Sequence, residues 1–547
     1  MAEHEGASAW GRAVTTEDVR GLSSPVYRDR RKRVAEMLLD ARRWADRVHV
    51  TQESGRLTFR EHELAAIRTA QWLREMGVGA GDRVLLLAGN RTELGVAFWA
   101  VQCLGAVVVL GNAWWSAEEV QAAAELVEPT VVIHDETTAD RLPSGYPATP
   151  INAITPHLAG TEAPELELPA IAEDDPALVL FTSGTTGKAK GVLLTQRSVV
   201  NNMQNLLLAT NRLPSELPTD HAGTVSLMTV PLFHLSGVHV LLSALLTGGR
   251  LVHQVGRFDA AAVLRLVAQE RVRTWGCVPA MVVRVMEHPD FATTDLSSLR
   301  SIGLGGSAAS PQFLERVRVA FPSLSSGGAG SLYGLTESGG LLAMGTGDEL
   351  AGRPGSVGRL LPVARIRIAD PDEDGSGEIL ARNPGMMIGY LGDVEQPIDK
   401  DGWLHTGDVG RLGNDGHLYL TGRSKEIIIR GGEKIACARV EEVLLSHSAV
   451  AEVAAVPLPD EKLGEEVGAV VVLSRGAEVT AAELKEYARS TLAYFELPAR
   501  WWIRRALLPT SAQGKVARAE VLQSWTARGG GDIDDLGAVP PETAQAS

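Results

Sequence analysis

Residues 177–195 read ALVLFTSGTTGKAKGVLLT, and how this stretch folds decides the architecture around it. Between two apolar runs, Phe181 to Val192 gather three glycines, four hydroxyl-bearing residues and two lysines. Gly184, Gly187 and Gly191 allow positive φ angles, so that backbone N–H groups can approach an anion. Thr182, Ser183, Thr185 and Thr186 add hydroxyl donors, and Lys188 and Lys190 add charge. A Walker A loop needs Gly, four residues, then Gly-Lys-Ser/Thr, and it leads from a strand into a helix. Here two residues separate Gly184 from Gly187, and Ala189 follows Lys188. The flanks ALVLF and GVLLT both read as strands, so the loop is predicted to close a hairpin and not to open a helix. Spacing and context together exclude the P-loop reading. On this stretch alone, a plain surface hairpin is the competing one.

Outward from the hairpin, Arg33 to Gln254 alternate buried-strand runs with helical patterns. DRVLLLAGN and PTVVIHDE read as strands, with EEVQAAAELV between them at helical spacing. The alternation continues through RTWGCVPA and LRSIGLGGSA, the pattern of helices covering mostly parallel sheets. From Ala364 the text changes to short strands with Gly/Asp/Asn turns, predicting a small β-rich subdomain. After GRSKEIIIRGGEKI, a mixed helix and strand pattern of about a hundred residues has the size of one further domain. The fold class is therefore α/β: a large N-terminal domain of layered sheets with a β-rich subdomain, then a small α+β domain. The boundaries read as 1–422 and 426–527, joined by 423–425. The Gly/Pro/acid-rich segment 528–547 reads as a disordered tail.

At 547 residues the chain exceeds a single hydrophobic core. With 45% hydrophobic and 22% charged residues it has an ordinary globular composition. A formal net charge of -15 argues against nucleic acid and anionic membranes as partners. Cys103, Cys277 and Cys437 form no disulfide or metal pattern, which suits a cytoplasmic setting. The start, MAEHEGASAW, lacks the basic residues and apolar run of a signal peptide. The longest apolar stretch, from Gly237, is well short of the roughly 20 residues of an integral membrane segment.

TSGTTGKAKGV resembles the signature of the adenylate-forming superfamily, and the other motifs follow in that family's order. They are PLFH at Pro231, YGLTE at Tyr333, GWLHTGD at Gly402, GRSKEIIIRGGEKI at Gly422 and PTSAQGK at Pro509. The resemblance implies an acid:CoA ligase: a carboxylate attacks the α-phosphorus of ATP, giving an acyl-adenylate and pyrophosphate, and a thiol then releases AMP. Carboxylate attack beside a triphosphate calls for a divalent cation and fixed positive donors. By resemblance, residues 182–188 (Thr182, Ser183, Gly184, Thr185, Thr186, Gly187, Lys188) hold the ATP phosphates. Glu337 holds Mg²⁺, and Thr336 contacts the phosphates. Tyr333 stacks on adenine above Gly306, Ser307 and Ala308, beside Gly334. Asp408 takes the ribose hydroxyls, with Arg423 as the second ribose and phosphate contact. Lys515 reaches the α-phosphate and the substrate carboxylate. Lys425 matches the hinge, 423–425, about which the mobile small domain turns between the two steps, and Gly432 matches the mouth of the pantetheine tunnel. Read without the family, Glu337 is a solvated acid, Asp408 and Arg423 an exposed ion pair, and Tyr333 a packed aromatic.

The acid is read from His234. Amino-acid-activating relatives carry Asp in this motif, whereas FHLSG offers no carboxylate for an ammonium group and resembles the aromatic gate of acyl- and aryl-CoA synthetases. The alternative is a satisfied core histidine. Gly334 stands where acetate-activating relatives have Trp, and Gly237, Gly305, Ala308, Gly339 and Gly340 are expected around the pocket. A medium, long, branched, aryl or polycyclic acid is thus expected, with ATP and CoA as co-substrates. A homodimer is left open. Two other readings stand beside this one: a ligase loading an acyl carrier protein, and a non-catalytic nucleotide-binding relative. Ala436-Cys437 departs from the family's aromatic or polar residue followed by Pro, and Cys437 reads as a packed residue.

Overall fold

The computed structural model describes residues 9–536 except 166, 184–188, 219, 305–310, 325–330, 351, 354, 424–425, 431–432, 461 and 511–515. The predicted hairpin is present. Pro176–Ser183 pairs antiparallel with Ala189–Thr195, Thr182 opposite Lys190. It forms one end of a seven-stranded sheet. Outward from Pro176–Ser183 come the parallel strands Val107–Leu110, Arg83–Leu87, Val131–His134 and Ala148–Pro150, and beyond Ala189–Thr195 lies the two-residue strand Gly389–Tyr390. A second sheet of six strands has the order Ser301–Leu304, Thr274–Cys277, Val225–Met228, Arg250–His253, Val48–Gln52, Gly55–Thr58. All its pairings are parallel except the last. The central strands Arg83–Leu87, Val107–Leu110 and Val131–His134 are near-continuous apolar runs, as expected of parallel strands buried on both faces.

The helices that fill the space between the layers are written plainly in the chain. Thr92–Cys103, TELGVAFWAVQC, is buried all round and belongs inside the main core. Capping boxes start Phe59–Glu75 at Thr58/Glu61, Ala117–Val127 at Ser116/Glu119 and Gln196–Ala209 at Thr195/Ser198. Three histidines lie in this core: His49, whose Nδ1 is 3.0 Å from the Gly249 carbonyl, His62 edge-on to it at 4.9 Å, and His253. Burial holds His49 and His253 at about 4 and His62 well below its ordinary value.

The β-rich subdomain begins earlier than Ala364. Its seven antiparallel strands run in the order Ser331–Leu335, Gly340–Gly345, Ser356–Leu360, His417–Arg423, Leu404–Leu412, Gly377–Arg382, Arg365–Ala369, so the YGLTE motif opens it. This sheet ends in sequence at Arg423, and Ile427–Arg430 opens the next one, with its own core. There Val450–Asp460 and Gly464–Leu473 form a long hairpin, and Arg500–Arg504 pairs parallel with the latter. The segment after Ala527 is not wholly a tail. Ile533–Asp535 adds a parallel strand to Arg500–Arg504, and the Trp525 indole donates to the Gly531 carbonyl at 2.8 Å. Backbone pairing at an open sheet edge needs little apolar content, which is why composition pointed the other way. Among the described residues, no helix is long and apolar enough to cross a membrane.

Candidate active site

A cavity of about 1760 Å³ lies where these sheets meet. Its wall includes Thr182 and Lys190 from the hairpin, His234 from PLFH, and Gly334, Thr336 and Glu337 from YGLTE. Thr510, Val516 and Arg518, on either side of the segment 511–515, also reach it.

At one end a carboxylate is held by two hydroxyls. Glu337 Oε1 accepts from Tyr390 Oη at 2.8 Å and from Thr182 Oγ1 at 3.2 Å. The sheet brings them together: Val192 pairs with Tyr390 across the edge strand, and Thr182 lies on the hairpin's inner strand. Lys190 Nζ sits 4.7 Å from the Tyr390 ring centroid. Burial, reinforced by the Glu337 charge, pushes the Tyr390 phenol up, so it stays a proton donor. The turn carrying Glu337 is pinned from behind. Ser338 Oγ donates to the Gly340 carbonyl at 2.6 Å, and Asn383 Nδ2 to the Ser338 carbonyl at 2.8 Å. Tyr390 has no motif in the sequence; an edge strand of two residues leaves almost no periodic signal.

Tyr333 and Asp408 also meet, but behind the wall. Both are buried, and Tyr333 Oη donates to Asp408 Oδ2 at 2.9 Å. Asp408 stands opposite Arg423 across the strands Leu404–Leu412 and His417–Arg423. The strand Ser331–Leu335 turns its Gly334 side to the cavity and Tyr333 away from it.

His234 lies on the cavity wall, immediately before the helix Leu235–Leu246. The loop before it is fixed by Asn90, whose Oδ1 accepts from Leu232 N at 2.9 Å and whose Nδ2 donates to the Val230 carbonyl at 2.8 Å. Phe233 stacks edge-on between Trp114 (5.3 Å) and His234 (4.7 Å). Asn202 Oδ1 accepts from Leu341 N at 3.0 Å, so its amide nitrogen donates to His239 Nε2. Burial holds His239 at about 4, a neutral imidazole on the wall.

The glycines expected around the pocket divide. Gly334 and Gly340 line it, but Gly237 and Gly339 do not. A Cβ on Gly237 would lie 2.2 Å from the Pro231 carbonyl oxygen, and one on Gly339 (φ +69°) 1.7 Å from that of Gly385. They are glycines of close backbone packing. Even at Gly334 a Cβ would point at the Gly340 carbonyl oxygen, 2.1 Å away, so the paired strand requires glycine there before any pocket does. Gly184, Thr185, Thr186, Gly187, Lys188, Gly305, Gly306, Ser307, Ala308, Lys425, Gly432 and Lys515 lie outside the described residues, as do the side chains of Ser183 and Arg423. The base of the Lys515 segment is described: Thr510 and Val516 form a bridge, and Ala517 N donates to the Pro509 carbonyl at 2.8 Å. Arg518 is anchored by Glu426 at 3.1 Å and Glu441 at 2.6 Å. The Cys437 thiol is buried and pushed up to about 12 chiefly by that burial, consistent with a packed residue.

The AMP-binding enzyme model matches residues 39–391, and the AMP-binding enzyme C-terminal domain model matches residues 439–515. The chain is 31% identical to 4-coumarate–CoA ligase 2 of Oryza sativa subsp. japonica, over 85% of this chain and 87% of that protein. Among solved structures, the o-succinylbenzoate CoA synthetase of Bacillus subtilis with its acyl-adenylate intermediate is 29% identical, with a TM-score of 0.73 over 89% of this chain and 97% of that one. The fatty acyl CoA synthetase of Mycobacterium tuberculosis is 27% identical, with a TM-score of 0.67 over 91% and 99%. The hairpin, the Glu337 turn and the mixed domain that follows are thus parts of one architecture, and the protein belongs to the AMP-binding enzyme family of adenylate-forming acyl-CoA ligases.

Proposed function

We propose that the protein activates a carboxylic acid with ATP, releasing pyrophosphate, and transfers the acyl group to the CoA thiol, releasing AMP. The observation that carries this reading is the Glu337 carboxylate, held by Thr182 and Tyr390 at the mouth of the phosphate hairpin, on the same cavity as the base of the Lys515 segment. One carboxylate with neutral hydroxyl donors suits a Mg²⁺ ion that completes its shell with substrate phosphates and water. Bound there with Glu337 as its protein ligand, Mg²⁺ would offset phosphate charge as the acid attacks. The same Bacillus subtilis synthetase is solved with ATP and a magnesium ion.

In this reading residues 182–188 hold the departing pyrophosphate, and Thr336 contacts the phosphates. Asp408 and Arg423 hold the ribose, while Tyr333 and residues 306–308 flank the adenine. For Tyr333 to offer its ring to the base, its hydroxyl must exchange Asp408 for a nucleotide-bound geometry. Lys515 balances the charge that develops on the α-phosphate. His234 bounds the acid pocket. Residues 1–422 bind ATP and the acid, 423–425 act as the hinge with Lys425 as its pivot, and 426–527 move between the steps. Gly432 admits the pantetheine arm.

The volume of the cavity, about 1760 Å³, supports an acid larger than acetate. Buried free thiols suit work in the cytoplasm. A homodimer is the remaining expectation and is checked by sedimentation. The test of function is pyrophosphate release from ATP and Mg²⁺ over acetate, octanoate, palmitate, benzoate, cinnamate and a steroid acid, followed by CoA or carrier-protein addition. Acid-dependent release with thioester on CoA is expected. Thioester on the carrier protein alone would move the acceptor, and no release with any acid would leave a non-catalytic relative.

A further inference from the structure

The cavity has a far end that the nucleotide residues do not use. It follows the strands Thr274–Cys277 and Ser301–Leu304 along their whole length, about 10 Å for four residues. The helix Gln196–Ala209 leads the same way. Asn202 binds Leu341 N near the Glu337 turn, whereas Leu206 and Ala209 line the cavity with Met344. From Asn202 to Ala209 the helix advances about 10 Å. Just beyond its end, Arg212 forms part of the wall.

This guanidinium is short of partners. Its Nε donates to Thr210 Oγ1 at 3.2 Å, and its backbone N–H to the Leu207 carbonyl at 2.7 Å. Among the described residues no group bonds to its two terminal nitrogens, and no acid stands close enough to act on it. Burial alone moves its pKa, downward. The other arginines of the wall differ: Arg518 is paired with Glu426 and Glu441, and Arg284 is exposed and lies over the Phe258 ring at 5.1 Å. Besides Thr210, the polar residues Ser226, Ser243 and Thr274 line the cavity, among apolar ones such as Leu206, Val240 and Met344. A guanidinium partly withdrawn from water without an acid is costly, and an apolar substrate tail laid against it would raise that cost. A carboxylate would match its planar fork with two parallel hydrogen bonds.

Building on the acid:CoA ligase reading, we propose that the substrate carries a second carboxylate, about 10 Å or more from the one activated, and that Arg212 receives it. Arg212 is then the residue that selects a long dicarboxylic acid over the corresponding monoacid. It takes no part in the phosphoryl or acyl transfer.

The test is pyrophosphate release with decanedioate, decanoate and 10-hydroxydecanoate, for the full-length protein and for Arg212→Met. The wild-type kcat/KM for decanedioate is expected to exceed that for decanoate by about tenfold or more, and Arg212→Met to cut this ratio by about ten- to a hundredfold. A wild type that uses decanoate as well as decanedioate overturns the proposal, and this arm needs no variant to fold. A ratio unchanged in a folded Arg212→Met protein overturns it too. Equal use of 10-hydroxydecanoate and decanedioate would mean recognition of a hydroxyl and refute the second carboxylate. Release with none of the acids, nor with the broader panel above, removes the ligase reading itself, an outcome distinct from turnover without preference.

Discussion

Tyr390→Phe is the sharpest perturbation of the metal assignment. It deletes one hydroxyl and leaves the ring under Lys190 Nζ, 4.7 Å from its centroid. The deleted donor makes the shorter of the two bonds to Glu337 Oε1, 2.8 Å against 3.2 Å from Thr182 Oγ1. A hydrogen bond to a charged acceptor contributes about 1.5–3 kcal/mol, and loss of a group orienting a metal's carboxylate ligand typically weakens metal affinity by about 10–100-fold. The Mg²⁺ concentration giving half-maximal pyrophosphate release should therefore rise by about tenfold or more, with much of the rate recovered at saturating Mg²⁺. Thr182→Val, which removes the longer bond, should shift the same curve less. If Tyr390→Phe lowered the rate and left the Mg²⁺ dependence where it was, Glu337 would not be the metal's ligand and Tyr390 would serve another purpose.

Lys515→Ala should strongly depress adenylate formation and largely spare thioester formation from a supplied acyl-adenylate; equal loss in both steps, measured separately, would remove its assigned role. Gly432→Leu should do the reverse, keeping pyrophosphate release and blocking CoA, and undisturbed thioester formation would argue against the tunnel. Gly334→Ala should lower the melting temperature, because its Cβ meets the Gly340 carbonyl oxygen at 2.1 Å; overpacking of this kind costs about 1–3 kcal/mol, and an unchanged melting temperature would contradict that geometry. Stability should also fall in mild acid. The unfolded chain takes up protons at His49 and His253 below about 6.5, whereas the folded protein does so only near 4. Each histidine thus costs about 1.4 kcal/mol per pH unit across that window, and a urea midpoint equal at pH 7 and pH 5 would refute it.

What could be read from the sequence was local. The hairpin follows from the short spacing between Gly184 and Gly187 and from two apolar flanks. The Tyr390–Glu337 bond joins positions 53 apart through an edge strand of two residues, which leaves no periodic trace. Asn90 clamps Val230 and Leu232 from 140 residues away or more for the same reason. Gly237 and Gly339 were expected around the pocket because small residues both open cavities and permit close packing. Only the direction of the missing side chain separates the two, and that direction is a property of the fold. Arg212 was invisible for the converse reason: an arginine in TNRLPSE reads as a solvated turn until the cavity wall is seen around it.

Product stoichiometry tests the central claim most directly. With ATP, Mg²⁺, CoA and an accepted acid, AMP, pyrophosphate and acyl-CoA should appear in equal amounts, with AMP and pyrophosphate absent when the acid is withheld. ADP and inorganic phosphate in their place would contradict adenylate chemistry at this site.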